Sequence, residues 1–155
     1  MKTTTESAEA GYLIKEVQHL LRLRMDSALA HVSITTPQFA VLTWLDRTPG
    51  LSNADLSHRC FVTPQTMNLI VQKLEDRGLV LRTPSPDHGR IQQLGLTAEG
   101  TNVLQHARIS LATVERGLFG VLSAAELKGL VAALRKLRAT EPERPVSSGP
   151  ARRRS

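Results

Sequence analysis

Only one cysteine, Cys60, occurs in the 155 residues, which excludes an internal disulfide framework and fits a reducing compartment. No apolar run is long enough to span a bilayer, and the opening Met1-Lys2-Thr3-Thr4-Thr5-Glu6-Ser7 lacks the apolar core of a signal peptide. Both absences predict a soluble, cytoplasmic protein without a membrane partner. Enzyme signatures are missing too: there is no Gly-x-Ser-x-Gly, His-Glu-x-x-His, phosphate loop or dinucleotide fingerprint, so no catalytic residue is assigned. The five histidines (His19, His31, His58, His88, His106) form no close His-x-x-x-His pair, and no Cys-x-x-Cys exists. Neither a metal nor a cofactor is therefore expected. No internal repeat of solenoid period is present.

What the chain does have is basic charge, 20 Lys plus Arg against 14 Asp plus Glu, a net +6 that favours a polyanionic partner. Three of those charges fall at residues 152–154, so the folded part is less basic than the total. The length suits one domain with its own core and little more.

The most informative stretch is residues 63–78. Met67, Ile70, Val71 and Leu74 recur at helical spacing and define a face for burial. Thr63 suits the N-cap, Pro64 the first helical position, and Gly78 the left-handed residue that stops the helix. The opposite face carries Gln65, Asn68, Leu69 and Gln72, with Thr66 and Lys73 beside them. Solvated helix faces favour Glu and Lys, whereas amides can bond the N6/N7 edge of adenine and an apolar group can meet a thymine methyl. The same face could also be a plain polar surface.

Around this helix the chain reads as mainly helical. A first helix spans about residues 8–31, with Leu13, Val17, Leu20, Leu21 and Ala28 as its stripe and Arg22, Arg24 and Asp26 off it. Thr36 and Pro37 open a second, whose buried face is Phe39, Leu42 and Leu45 and which Pro49 and Gly50 end; Trp44 packs against the domain. Ser52 with Asp55 caps a short third helix, on which Leu56 and Cys60 share a face. Only Phe61 and Val62 separate Cys60 from Thr63, which gives helix, tight turn, helix. Residues 79–83 and 91–96 read as paired strands, with Leu94 and Leu96 on one face, around a turn containing Pro84, Pro86, Asp87 and Gly89 with Arg90 at its edge. Such a hairpin after a base-reading helix is a wing, whose arginine could enter a narrow minor groove.

Thr97 then caps a long helix over about residues 98–120, with Leu104, Ala107, Leu111, Val114 and Leu118 as its stripe. A capping box of Ser123 and Glu126 opens a last helix, faced by Leu127, Leu130, Val131, Leu134 and Leu137. A compact winged helix needs neither these helices nor the first one to close its core, so their stripes predict a second copy across a two-fold axis. Prolines, serines and arginines after Thr140 predict a disordered basic tail. The expected division is an N-terminal dimerisation helix at 8–34, a winged helix-turn-helix at 35–97, C-terminal dimerisation helices at 98–139 and the tail at 140–155. The fold class is thus a three-helix core plus two-stranded wing between dimerisation helices.

Thr63-Pro64-Gln65-Thr66, Leu74-Glu75-Asp76-Arg77-Gly78-Leu79-Val80, Asp87-His88-Gly89-Arg90 and Leu96-Thr97-Ala98-Glu99-Gly100 occur in order at characteristic distances. Together they resemble the multiple-antibiotic-resistance regulator (MarR) family of bacterial transcription factors over about residues 10–138. The resemblance implies a triangular homodimer, interlocked through the first, fifth and sixth helices, whose winged helices straddle a palindromic site on double-stranded DNA. It further implies repression, or less often activation, relieved by a small aromatic or phenolic ligand held between the dimerisation helices and the winged helix. Arg90 matches the wing arginine of the minor groove. Where the family usually has an aspartate two positions earlier this chain has His88, with Asp87 displaced by one, which adds a protonatable phosphate contact.

The expected major-groove residues are then Thr63, Gln65, Thr66, Asn68, Leu69 and Gln72, and the expected backbone contacts are Lys73, Arg82 and His88. Leu13, Val17, Leu20, Leu111, Leu118, Leu127, Leu130 and Leu134 are placed at the dimer interface. Val17, Leu21, Phe39, Leu42, Trp44 and Leu111 are pocket-wall candidates for which core packing is the competing reading. Cys60, on an apolar face, reads as a small hydrophobe rather than a redox sensor. The alternative in a different class is a winged helix that binds an acidic protein partner without sequence-specific DNA binding. Salt-dependent, sequence-specific titration with DNA discriminates the two.

Overall fold

The structure, a computed structural model, describes residues 4–87 and 89–140. The basic tail beyond residue 140 and the expected backbone contact His88 lie outside the described residues. Helices α1 (Thr4–Ala30), α2 (Thr36–Arg47), α3 (Asn53–Arg59) and α4 (Pro64–Asp76) are followed by strands β1 (Val80–Pro84) and β2 (Gln92–Leu96), then by α5 (Ala98–Phe119) and α6 (Ala124–Arg138). Two compact units divide the chain, the first ending at Leu118 and the second beginning at Phe119. No single described helix is long and apolar enough to cross a membrane.

Local chemistry sets most helix ends. Ser52 and Asp55 form the expected capping box on α3, the Asp55 N–H donating to Ser52 Oγ at 3.1 Å while Asp55 accepts from the Ser52 N–H at 2.9 Å. Thr63 caps α4 with Pro64 in its first turn, and Gly78, at φ +68°, provides the left-handed stop. At α2 the cap is Thr35 rather than Thr36: its N–H donates to Gln38 Oε1 at 3.0 Å and its hydroxyl oxygen accepts from the Gln38 N–H at 3.3 Å. The reciprocal pair with Gln38 decides between the two adjacent threonines, and Thr36 instead donates to Asp26 on α1. Ser123 and Glu126 cap α6 as expected, and the hydrogen bonds from Ser123 hold the Glu126 carboxyl below its usual range.

The antiparallel hairpin pairs Val80 with Leu96 and Pro84 with Gln92. Both strands begin one residue later than the alternation suggested. A third element joins them: the Leu94 N–H donates to the Leu51 carbonyl at 2.9 Å and its carbonyl accepts from the Gly50 N–H at 3.1 Å, so the segment after α2 adds a bridge to β2. This contact orients the wing against the helices.

The core of the first unit contains Val41, Leu42 and Leu45 of α2, Leu56 of α3, Met67, Val71 and Leu74 of α4, and Leu79, Val80 and Leu94 from the hairpin region. It also takes Leu29 of α1 and Leu104, Ala107 and Leu111 of α5. The last turn of α1 and the first half of α5 therefore close the winged-helix core, contrary to the expectation that the helix bundle closes without them. Leu111, placed by sequence at the dimer face, is only 5% exposed and belongs to this core.

What the core leaves uncovered is equally definite. On α1, Tyr12, Leu13, Ile14, Val17, Leu20 and Leu23 are all exposed, and α6 buries no residue while Leu130, Val131, Leu134 and Leu137 stand exposed on it. Leu118 and Leu127 are half-buried. On each helix, taken by itself, the exposed apolar residues recur at helical spacing, as on a face that another surface covers.

Candidate nucleic-acid interface

Helix α4 is held by its apolar face. Met67, Val71 and Leu74 are fully buried and Ile70 is half-buried, so Gln65, Thr66, Asn68, Leu69, Gln72 and Lys73 project from the protein together. Leu69 is 62% exposed in the middle of the amides, a position with no structural reason to be apolar. Thr63 is partly occupied: it accepts from the Thr66 N–H at 3.1 Å and donates its own hydroxyl to Thr66 Oγ1 at 2.9 Å. The Thr66 hydroxyl keeps its proton for an outside acceptor.

The angle between α3 and α4 is set by the turn Cys60-Phe61-Val62, in which Phe61 has φ +56° and the Val62 N–H reaches the Ser57 carbonyl at 3.1 Å. Asn53 at the start of α3 donates its amide to the Pro64 carbonyl at 3.2 Å, joining the beginnings of the two helices. Trp44, half-buried against the core as expected, carries the Arg59 guanidinium 4.7 Å from its ring centroid. This cation–π contact braces α2 against α3 and covers a ring face that the sequence left open for a ligand.

On the wing, Arg90 and Asp87 are exposed beyond the point where the Ser85 N–H donates to the Ile91 carbonyl at 2.8 Å. Arg82, expected to meet DNA phosphate, is already engaged: its Nε donates to both carboxylate oxygens of Glu75 at 2.9 Å. The pair joins β1 to α4, and Arg82 offers the outside less than a free cation would. Sequence reading missed the pairing because the partners are seven residues apart across a turn.

The six residues proposed as pocket walls differ in burial. Leu42 and Leu111 are core residues, Val17 is exposed on α1, and Leu21, Phe39 and Trp44 are half-buried. One cleft, 480 Å³ and open to solvent, is lined by Arg24, Ser27, Ala28 and His31 of α1 and by Ser110, Thr113, Val114 and Gly117 of α5. Each helix contributes residues at i, i+3, i+4 and i+7, a small and polar stripe visible in the sequence but hidden beside the apolar one.

Cys60 is half-buried at the C-cap of α3, and desolvation by its surroundings raises its thiol above the usual value. At neutral pH it is a thiol, so slow alkylation without loss of DNA binding is expected. The folded chain holds this proton to higher pH than the unfolded one, so its contribution to stability is complete below the ordinary thiol range and declines as pH rises through it. Urea unfolding across the alkaline range checks this: the decline should flatten in Cys60→Ala.

The exposed amide face, its capped entry and the adjoining wing define a winged helix-turn-helix DNA-binding protein. A family model for the MarR family matches residues 32–91. The transcriptional repressor Rv2887 of Mycobacterium tuberculosis is 35% identical over 132 residues, 85% of this chain and 95% of its own. Its crystal structure in complex with DNA is similar at 33% identity with a TM-score of 0.70, covering 82% of this chain and 95% of that one. Its complex with salicylic acid is similar at 35% identity with a TM-score of 0.69, covering 82% and 94%. The chain belongs to the MarR family; it is a DNA-binding transcription regulator and not an enzyme.

Proposed function

We propose that two copies of this chain form a cytoplasmic repressor that reads an inverted repeat and is released from it by a small aromatic carboxylate. The observation that carries the DNA half is the face of Gln65, Asn68, Leu69 and Gln72, exposed at helical spacing beside a wing that ends in Arg90. Such a helix fits the major groove, and Arg90 then faces the adjoining minor groove. Dimerisation is assigned to Leu13, Val17 and Leu20 of α1 and to Leu127, Leu130 and Leu134 of α6. The operator should show half-sites about one helical turn apart, or a multiple of it, since a two-fold dimer presents its helices with that constraint. Selection of bound fragments from the source genome, with the mass of the complex measured, tests this. Fragments without a repeat, or one chain per duplex, would reject the reading.

The effector half rests on the cleft between α1 and α5. Arg24 supplies a cation for a carboxylate, Ser27, His31, Ser110 and Thr113 supply polar partners, and Ala28 and Val114 supply apolar surface for a ring. Salicylic acid bound to Rv2887 is an example of that ligand class. Arg24→Ala should weaken salicylate binding by about tenfold, the scale of one charged hydrogen bond, and leave operator affinity unchanged. Calorimetric titration decides it: equal affinities in both proteins would remove the cleft from the account.

A further inference from the structure

Arg77 follows the last turn of α4, and its guanidinium donates to the carbonyl oxygen of Ser33, 44 positions earlier in the turn between α1 and α2. Ser33 has φ +55°, a left-handed conformation that a residue with a Cβ adopts only when its surroundings impose it. That turn is closed by its own bonds, from the Val32 N–H to the Leu29 carbonyl at 3.0 Å and from the Ser33 N–H to the Ala30 carbonyl at 3.0 Å. The Ser33 carbonyl is thus fixed in direction, and the donor that meets it comes from the end of the DNA-reading helix. Two further ties lie within two residues. Glu75 pairs with Arg82 on β1, and the Gly78 carbonyl accepts from the Thr97 hydroxyl at 2.6 Å at the entry to α5. Arg77 is the one of the three that reaches the α1–α2 turn, two residues beyond His31 in the cleft wall.

A helix docked on one apolar face can still tilt, and a tie at its C-terminal end limits how far its reading residues move. The turn from α3 and the Asn53 amide hold the start of α4, and its apolar face is buried along its length, so the tilt left to it depends on what anchors Asp76 and the residues after it. An exposed arginine beside a DNA-reading helix would ordinarily be taken for a phosphate contact. Its hydrogen bond to Ser33 points instead back into the protein, and no carboxylate among the described residues forms an ion pair with it.

We propose that Arg77 is a positioning residue, which sets the angle of α4 through the Ser33 carbonyl and so determines operator preference without itself touching DNA. This rests on the reading of α4 as the DNA-reading helix. The two roles differ in salt dependence, because losing a phosphate contact releases fewer counterions whereas misaligning a helix costs base contacts.

The test uses the full chain with Arg77→Ala and Arg77→Lys, titrated with an operator duplex and an unrelated duplex over a range of salt. Arg77→Ala should bind the operator about tenfold more weakly, bind the unrelated duplex as the wild type does, and keep the wild-type slope of log affinity against log salt. Arg77→Lys, which retains a donor of similar reach, should recover part of the loss. Thermal midpoints near that of the wild type are expected for both. Equal loss on both duplexes with a shallower slope would make Arg77 a phosphate ligand and overturn the inference, as would unchanged operator affinity in Arg77→Ala. A wild-type protein that does not distinguish the duplexes would overturn the reading of α4 itself, an outcome separable from any defect confined to the variants.

Discussion

Gly100→Ala should lower stability by about 3 kcal/mol, the upper end of the usual cost of overpacking a tight site. A Cβ built on Gly100 would lie 2.0 Å from the Leu79 carbonyl oxygen and 2.9 Å from its carbon, both backbone atoms that cannot swing aside. The neighbourhood allows little relaxation, because the same Leu79 carbonyl accepts from the Thr97 N–H at 3.1 Å and the Gly100 N–H donates to Thr97 Oγ1 at 2.9 Å. To admit one methyl group, α5 must lift from the residue that links α4 to β1, pulling Leu104 and Ala107 from the core. For a chain of this size the change corresponds to a fall in melting temperature of roughly 10 °C. Thermal unfolding checks it, and a midpoint within two or three degrees of the wild type, on the order of 1 kcal/mol or less, would show that the close approach is not rigid.

Val17→Glu should give a soluble monomer that has lost operator binding by at least about a hundredfold, since two linked reading heads gain on the order of 10²–10⁴ over one. Val17 is exposed between Leu13 and Leu20, at i+4 and i+7 of one apolar stripe, and none of the three belongs to the core. Glutamate is a good helix former, so the substitution leaves α1 intact while placing two uncompensated charges in a two-fold contact. Sedimentation and circular dichroism separate the effects: a single-chain mass with wild-type helicity is expected. A dimeric mass would remove this stripe from the interface.

The recognition helix was legible because every local device on it agrees: a threonine cap, a proline in the first turn, a clean apolar period and a terminal glycine. The wing was legible as a hairpin, but the bridge from Leu51 to Leu94 was not, since residues 43 apart in sequence leave no local pattern. Periodicity shows which face of a helix is apolar and not what covers it. Hence the apolar period alone puts Leu111 at a dimer face or a pocket wall and Leu42 on a pocket wall, whereas both are buried in one core. Arg82 shows the same limit for charge, because its sign suggested phosphate while its geometry gives it to Glu75. The cleft is not legible in the sequence, because serine, threonine, alanine and glycine at helical spacing carry a weak hydropathy signal beside a strong one.

Base preference at single operator positions tests the account most directly. Each base pair of one half-site is replaced in turn, and the affinities of wild type, Asn68→Ala, Gln65→Ala and Lys73→Ala are measured at fixed salt. Asn68→Ala and Gln65→Ala should each lose discrimination at one position, by roughly 1–3 kcal/mol, while Lys73→Ala weakens every sequence alike and lowers the salt slope. Uniform losses for all three variants would mean that α4 grips the backbone without reading bases, and would contradict the central claim.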